Sequence, residues 1–318
     1  MNFDYNEEQQ LLADSVRRFL HKDYDFEKRK AILKNGWSEQ IWATFADMGL
    51  TGLPLSPDYG GFGGGAVDLM SVMEAFGEAL VVEPYLPTIL GALAIAKAGS
   101  AEQKKSILPA VVEGKMRLAL ATGTRGVIGA PIADKIVFFS GNKLSVMVPE
   151  GLKPHRTLDD LAAADLGVQV DAVPDEILDF GAALSCAEAV GAMKFACDTT
   201  LEYLKTRKQF GVPIGAFQAL QHRMVEMFIA YEQAKSMACL ACSKIDSHES
   251  AKDRARAVSA AKIKIADSAR HVSQESVQLH GGMGMTEELK VSHTFRRLTV
   301  LARRFGDADH HLARFASL

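Results

Sequence analysis

TRKQFGVPIGAFQALQ, residues 206–221, and QLHGGMG, residues 278–284, decide how this chain is read. Both stretches put polar side chains and glycines where a long helical pattern stops. A backbone can approach a phosphate or a flat ring closely at such a point. The surroundings are helical throughout. Apolar residues recur at helical spacing over Leu178–Arg207, Phe217–Ser247, Ala251–His280 and Glu287–Arg304, with a short last stretch over Asp307–Ser317. Long helices joined by short loops pack as antiparallel neighbours in a bundle. Ala and Met fall on more than one face, which predicts burial by other helices, including those of another subunit.

Ahead of the bundle the texture differs. Residues 118–175 alternate short apolar runs with turn signals at Gly123–Gly126, Ser140-Gly141-Asn142 and Pro149–Gly151. IVFF and LSVMV read as strands around a tight turn, and HRTLDDLAAADLGVQVDAV reads as ending in one more strand. Residues 1–117 read as an all-α domain. Leu11, Leu12, Val16, Phe19 and Leu20 share one face of Glu7–Leu20, with acid early and base late, as the helix dipole prefers. Ser38 can cap the helix that carries Ile41, Trp42, Phe45 and Met48. LPLSPDYGGFGGGAVD is an irregular loop by its prolines and glycines, made an ordered one by Tyr59 and Phe62. Helical patterns follow over Asp68–Leu80, Pro87–Ala98 and Ala101–Glu113, the last capped by Ser100. The expected architecture is mostly α: a helical domain over 1–117, a reduced β segment over 118–175 and a four-helix bundle over 176–318.

Composition narrows the function. The 318 residues are 48% hydrophobic and 24% charged, ordinary values for a globular chain of more than one domain. The net charge of −3 and pI near 6.3 point away from a nucleic-acid partner. The opening MNFDYNEEQQLL is acidic and polar, unlike the cationic start of a signal peptide, and charge interrupts the apolar runs short of a membrane span. All four cysteines lie in helical patterns, so a reducing cytoplasm is the expected setting.

Helical domain, β segment, then a bundle with R-x-Q-F-G…F-Q and Q-x-x-G-G-x-G resembles the acyl-CoA dehydrogenase family of flavoproteins. EEQQLLADSVRRFL, PDYGGFGGG, GSAEQKKSILPAVVEGK, TRKQFGVPIGAFQALQHRMVEM and QLHGGMGMTEE carry the resemblance in order, across nearly the whole chain. It implies α,β-desaturation of an acyl-CoA, with a glutamate taking the Cα proton and FAD the Cβ hydride. It implies an oligomer whose FAD is shared between subunits, and an electron-transfer flavoprotein or similar acceptor. Carried over by motif, Arg207 would pair with the FAD pyrophosphate. Gln209, Phe210 and Gln218 would line the same groove, and Gln278, Gly281 and Gly282 would approach the ADP half. The glycines have a second reading, as C-caps of a helix.

The chain also departs from the family. Counting on from Gln278 to the family's usual base position reaches Phe305, followed by Gly306. The position used by other members, in the first bundle helix, holds Gly181, with Ala182 where some relatives carry an Arg. Neither Phe nor Gly can accept a proton, so no residue is assigned as the catalytic base. The β segment is shorter than the family's and lacks its E-P-x-x-G-S-D stretch; Leu144-Ser145-Val146 stand where W-I-T-N is expected. The pattern resembles the short, base-lacking subunit of heteromeric bacterial enzymes of the steroid side-chain type. A full-length partner would then supply the base, the flavin-ring contacts and most of the acyl-CoA contacts.

Other residues carry chemistry of their own. Glu188 is the best remaining carboxylate: a base if its pKa is raised, or the partner of an Arg on a neighbouring helix. Asp307 and Asp309 lie beside the vacated position, with Asp307 placed to cap the last helix. His310, His311, Arg303, Arg304 and Arg314 form either a phosphate contact or a solvated basic face. The histidines lack a carboxylate or Cys at metal-ligand spacing. Cys239 and Cys242 have C-x-x-C spacing but sit mid-helix, where small buried residues are expected and a reactive thiol is not. Met283 and Met285 read as packing residues. Two alternatives stay open: a homomeric enzyme using Glu188 or Asp307 as base, and a non-catalytic scaffold of the same fold.

Overall fold

The computed structural model describes residues 5–141, 143–247 and 250–318. It is mostly helical. In chain order the elements begin with α1 (Glu7–Asp23), α2 (Phe26–Asn35) and α3 (Glu39–Asp47), then α4 (Ala66–Ala79), α5 (Tyr85–Ala98) and α6 (Ala101–Val112). Six short strands follow: β1 (Leu118–Leu120), β2 (Val127–Ile128), β3 (Lys135–Ser140), β4 (Lys143–Met147), β5 (Lys153–Arg156) and β6 (Ala162–Asp165). The long α7 (Asp175–Thr206) leads to a hairpin of β7 (Lys208–Gln209) and β8 (Val212–Pro213). The chain closes with α8 (Gln218–Asp246), α9 (Ala251–His280), α10 (Lys290–Leu301) and α11 (Ala308–Ser317).

By internal contacts the chain falls into two compact units. One holds Met1–Phe26, Met70–Leu80 and Ala182–Leu318; the other holds Glu27–Leu69 and Val81–Gly181. The second unit is built on two three-stranded sheets, ordered β1-β3-β4 and β2-β6-β5. β1 runs parallel to β3, while β3 and β4 form the antiparallel hairpin read from IVFF and LSVMV, with Phe139 opposite Leu144. Its turn contains Gly141 at φ 59°; Asn142 lies outside the described residues. The small core holds Ala119, Ala121, Ile136 and Ala164. Thr88 of α5 ties helix to strand, its hydroxyl donating to the Leu118 carbonyl at 3.2 Å and accepting from the Leu118 N–H at 3.1 Å.

This region corrects one expectation. The strand predicted at the end of 155–173 stands earlier, at Ala162–Asp165, and no strand is described over 166–174. Val168 and Val170 pack on the small core without pairing their backbone, between Gly167 and Pro174. α2 was not legible in the sequence, because FEKRKAILKN buries only Arg29 and Ile32. The glycine loop is ordered by its own backbone: Phe62 N–H donates to Gly52 O, Gly63 to Leu55 O and Gly64 to Leu53 O. The Phe62 ring lies over Gly49, and Tyr59 is half-buried.

In the first unit α7 is packed through glycine. A Cβ built on Gly77 of α4 would stand 1.9 Å from the Glu188 carbonyl, and one on Gly191 would stand 1.8 Å from the Glu74 carbonyl. Two helix backbones touch there, which only Gly permits. α7 is the single described helix long and apolar enough to cross a bilayer, and most of it is buried inside the protein. α8 and α9 run antiparallel, joined by the Arg223–Glu275 ion pair at 2.6 Å. The cysteines Cys186, Cys197, Cys239 and Cys242 are free and buried.

Candidate functional site

The ends of α7 and α9, which lead into the two motifs, are clamped together. The Tyr203 and His280 rings stack with centroids 4.4 Å apart, and the Thr200 and Ser276 hydroxyls bond at 2.8 Å. His280 Nδ1–H donates to the Ser276 carbonyl at 2.8 Å, and burial lowers the His280 pKa, so the ring stays neutral in the stack. One turn beyond Tyr203 the chain reaches Arg207; one residue beyond His280 it reaches Gly281. The sequence offered Tyr203 and His280 only as helix residues near motifs, so their contact was not foreseen.

A hairpin, also unforeseen, presents the first motif. Arg207 closes α7 through its N–H to Tyr203 O at 2.8 Å, and Ile214 N–H returns to Arg207 O at 2.8 Å. Between them Gln209 pairs with Val212 across a two-residue turn of Phe210 (φ 55°) and Gly211 (φ 80°). Two successive positive φ values match a type I′ turn, whose twist suits a tight hairpin. Phe210 is 90% exposed, its ring edge-on to Phe217 at 6.1 Å. Gln218 opens α8, whose N-cap Phe217 makes no side-chain cap bond.

The second motif ends α9. Gly281 adopts φ 60° and ψ −145°, a region essentially reserved for glycine. Arg207, Gln209, Gln218, Gln278, Gly281 and Gly282 are all exposed, and nothing stands within 4 Å of a Cβ built at Gly211, Gly281 or Gly282. Met283 and Met285 are 44% and 67% exposed, which corrects their reading as packing residues: the 3-10 turn Gly281–Met285 swings them outward. The donor set is one guanidinium, three primary amides and open glycine backbone. That chemistry fits the diphosphate and adenosine half of FAD.

The usual base positions hold no acid. Gly181 is buried within α7. Phe305 adopts φ 61° and Gly306 φ 105°, in a loop gripped from below. Lys262, buried in α9, donates from Nζ to the Leu301 carbonyl at 3.0 Å and the Arg304 carbonyl at 2.7 Å, satisfying groups at the end of α10. His311 Nε2–H donates to the Phe305 carbonyl at 3.0 Å while Nδ1 meets the Ser259 hydroxyl at 3.3 Å. Burial, then the Lys262 charge, pushes the His311 pKa down to about 4. His311 is thus a buried, neutral clamp on the loop and no part of a basic face; His310 remains exposed. Asp307 caps α11, accepting from His310 N–H at 2.9 Å, and that bond holds its carboxyl below the ordinary range.

Glu188 is spoken for. Its carboxylate pairs with Arg297 of α10, both almost fully buried, and Arg304 stands 3.9 Å away. The carboxylate is thus committed to an ion pair inside the bundle and does not face an open groove. Glu74 of α4 is another buried carboxylate, one that no motif marks. Burial raises its pKa, with Arg17 at 3.7 Å and Lys235 acting against that rise. Beside the 305 loop a groove of about 500 Å³ opens between α9, α10 and the start of α11, lined by Arg270, Gln274, Phe295, Arg303, Asp307 and Asp309 among others. Cys239 and Cys242 are buried in α8, with pKa values raised by burial, as unreactive thiols are. Among the described residues no group of three His, Cys, Asp or Glu could hold a metal ion.

Comparison with known proteins agrees with these observations. The Acyl-CoA dehydrogenase N-terminal domain pattern matches residues 6–115, and the C-terminal domain pattern matches residues 172–316. Acyl-CoA dehydrogenase IpdE2 of Mycobacterium tuberculosis is 30% identical over 298 residues, covering 92% of this chain and 91% of its own. IpdE2 of Mycolicibacterium smegmatis is 29% identical over 317 residues, 97% of this chain and 98% of its own. Among solved structures, the ChsE4-ChsE5 complex from Mycobacterium tuberculosis superposes with a TM-score of 0.89 at 22% identity, over 100% of this chain and 98% of that one. The Tcur3481-Tcur3483 steroid ACAD G363A variant gives 0.85 at 24% identity, over 98% of this chain and 97% of that one. Two domain patterns in the right order, full-length relatives and a shared fold lead to one conclusion: the chain belongs to the acyl-CoA dehydrogenase family.

Proposed function

We propose that this chain is the base-lacking subunit of a heteromeric, FAD-dependent acyl-CoA dehydrogenase. The observation that carries the reading is the pairing of an exposed nucleotide-type donor set with two vacant base positions. Phe305 and Gly181 cannot take a proton, and the buried carboxylate of Glu188 is engaged by Arg297. The family is FAD-dependent, and FAD when bound supplies the hydride acceptor. Within this chain Arg207 holds a pyrophosphate, a charge-assisted contact. Gln209, Phe210 and Gln218 line the same groove, and Gln278, Gly281 and Gly282 admit the nucleotide close to the backbone. The partner, a full-length chain of the family, supplies the glutamate base, the flavin-ring contacts and most acyl-CoA contacts.

The reaction is α,β-desaturation of an acyl-CoA. Likeness to IpdE2 and to the two-chain Tcur3481-Tcur3483 steroid ACAD favours a bulky, steroid-derived acyl group. An electron-transfer flavoprotein or similar protein takes the electrons onward. Four free thiols accord with a reducing cytoplasm. The division into a helical domain over 1–117, a β domain over 118–175 and a bundle over 176–318 belongs to the same reading, the reduced β segment being the part that the partner's longer one complements.

The test is to purify the chain alone and then with its full-length partner. Flavin and acyl-CoA oxidation are expected only in the pair. Stoichiometric FAD together with acyl-CoA oxidation by the isolated chain would overturn the reading.

A further inference from the structure

The start of α10 breaks the local rules of a helix N-terminus. Leu289 at its N-cap makes no side-chain cap bond, and the first turn holds no acid. The first residue is Lys290, a cation at the end where the helix dipole favours an anion. The ammonium reaches away from that end. Lys290 Nζ donates to the Glu78 carbonyl in the last turn of α4 at 2.6 Å, and it lies 4.0 Å from the centroid of the Phe195 ring on α7. A carbonyl at a helix C-terminus and an aromatic face both attract a cation. Close packing does not supply this join: beside Lys290 a cavity of about 260 Å³ opens among Leu20, Tyr24, Phe26 and Ala75.

What precedes Lys290 gives the tie its consequence. The Gly281–Met285 turn hangs between two anchors. The near anchor is the end of α9, with His280 stacked on Tyr203 and Gly284 so close to the helix that a Cβ there would stand 2.6 Å from the Val277 carbonyl. The far anchor is the segment from Thr286 to Lys290. The Ser292 hydroxyl donates to the Thr286 carbonyl at 2.7 Å, which holds that segment to α10 itself. Arg296 also meets Glu287 at 2.8 Å, but Glu287 is 71% exposed and such a pair contributes little. Lys290 is what joins α10 and the segment to α4 and α7. We propose that Lys290 is a positioning residue for the candidate nucleotide groove: it fixes the far anchor of the turn, and so the place of the Gly281 and Gly282 backbone. The inference rests on the reading of that turn as part of an FAD groove, and names a residue outside the groove that sets its shape.

The test compares the wild type with Lys290→Met, Lys290→Gln, Lys290→Arg and Arg207→Ala. Amide hydrogen exchange is followed by mass spectrometry on the full chain. FAD is titrated onto the flavin-stripped pair of this chain with a full-length acyl-CoA dehydrogenase chain. In Lys290→Met the amides of 281–289 exchange about 10-fold faster or more, while those of α8 and α9 keep their wild-type rates. FAD then binds about 10-fold more weakly, because binding must order a turn that was ordered beforehand. Lys290→Gln behaves like Lys290→Met and serves where the Met variant does not fold. Lys290→Arg keeps a cation on the ring and returns both readings towards the wild type. Unchanged exchange over 281–289 overturns the proposal. So does faster exchange spread through the whole bundle, faster exchange with unchanged FAD affinity, or an Arg variant no better than the Met variant. Arg207→Ala separates the proposal from the groove itself. If it binds FAD as the wild type does, the groove reading fails and the proposal with it. If it loses FAD while Lys290→Met retains full affinity, only the proposal fails.

Discussion

Replacing Glu188 by Gln is the sharpest test of the bundle's buried chemistry. The Glu188 and Arg297 side chains are 5% and 3% exposed, and Arg304, at 12%, stands 3.9 Å from the same carboxylate. Removing one charge of a buried pair leaves the other without compensation in a poor solvent, which costs about 3–5 kcal/mol. Gln keeps the shape and one acceptor, so the loss belongs at the lower end, about 3 kcal/mol. For a folding unit of this size that shifts the melting midpoint down by about 6–12 °C. Replacing Arg297 by Met should cost at least as much, because Glu188 then loses its direct partner and Arg304 stands 3.9 Å away. The double variant Glu188→Met/Arg297→Met removes both charges and should recover most of the loss, since an apolar pair of similar volume is often neutral or better. Urea unfolding followed by circular dichroism gives the four corners of the cycle, with an expected coupling of about 3 kcal/mol. Additive losses, or a Glu188→Gln variant destabilised by less than about 1 kcal/mol, would refute the account of the pair as a structural tie. The same variant serves the mechanism. Assembled with the partner, Glu188→Gln should keep its turnover; abolished turnover with intact assembly would make Glu188 the base.

Three further expectations follow from neighbouring features. His311 has a pKa near 4 in the fold against about 6.5 when unfolded, so the unfolded chain binds the extra proton between those values. Its stabilisation is complete above pH 6.5 and is lost as the pH falls towards 4, by about 3 kcal/mol; urea midpoints across that window should show the slope, and His311→Gln should flatten it. Gly191→Ala puts a methyl group 1.8 Å from the Glu74 carbonyl, so α4 and α7 must part; a destabilisation of about 3 kcal/mol or more is expected, and a melting curve like the wild type's would refute the close crossing. Gly281→Ala meets no neighbour but occupies a glycine-only conformation, so it should cost about 1–3 kcal/mol by thermal melting and also reduce flavin retention in the assembled pair.

The parts of the fold legible in the sequence were those governed by local rules. Ser38, Ser100 and Asp307 cap helices as their side chains suggest, and α9 begins and ends where periodicity places it, because Ser250 and Gly281 punctuate it. The bundle followed from four long apolar patterns. What stayed hidden depends on pairing between distant residues. Nothing local marks Tyr203 as the partner of His280, or Lys262 as the support of a carbonyl forty-two residues away at Arg304. The hairpin at Phe210-Gly211 was masked because Phe is an unusual residue for a left-handed turn position. The late strand lies earlier than the pattern predicts because the segment with Val168 and Val170 bonds β3 through Asp171 N–H to the Phe139 carbonyl at 2.9 Å without forming a ladder, while Ala163 and Ala164 pair with strands on both sides. For the candidate site, residue chemistry was legible, but which face of each residue meets water was not. Met283 and Met285 therefore face water where helical spacing predicts packing, and His311 is buried where the pattern allows either a phosphate contact or a solvated basic face.

The four thiols give the protein a built-in timer. Cys186, Cys197, Cys239 and Cys242 are all buried in the α7–α8 part of a single unit, and burial raises each pKa, for Cys186 to about 11 and Cys197 to about 12. In the native fold they are both out of reach and protonated, so a thiol reagent reacts only during an opening of that unit. The labelling rate of the unmodified chain therefore reports how often the bundle breathes. Slower labelling on adding a partner or flavin would register binding to the bundle without any introduced probe.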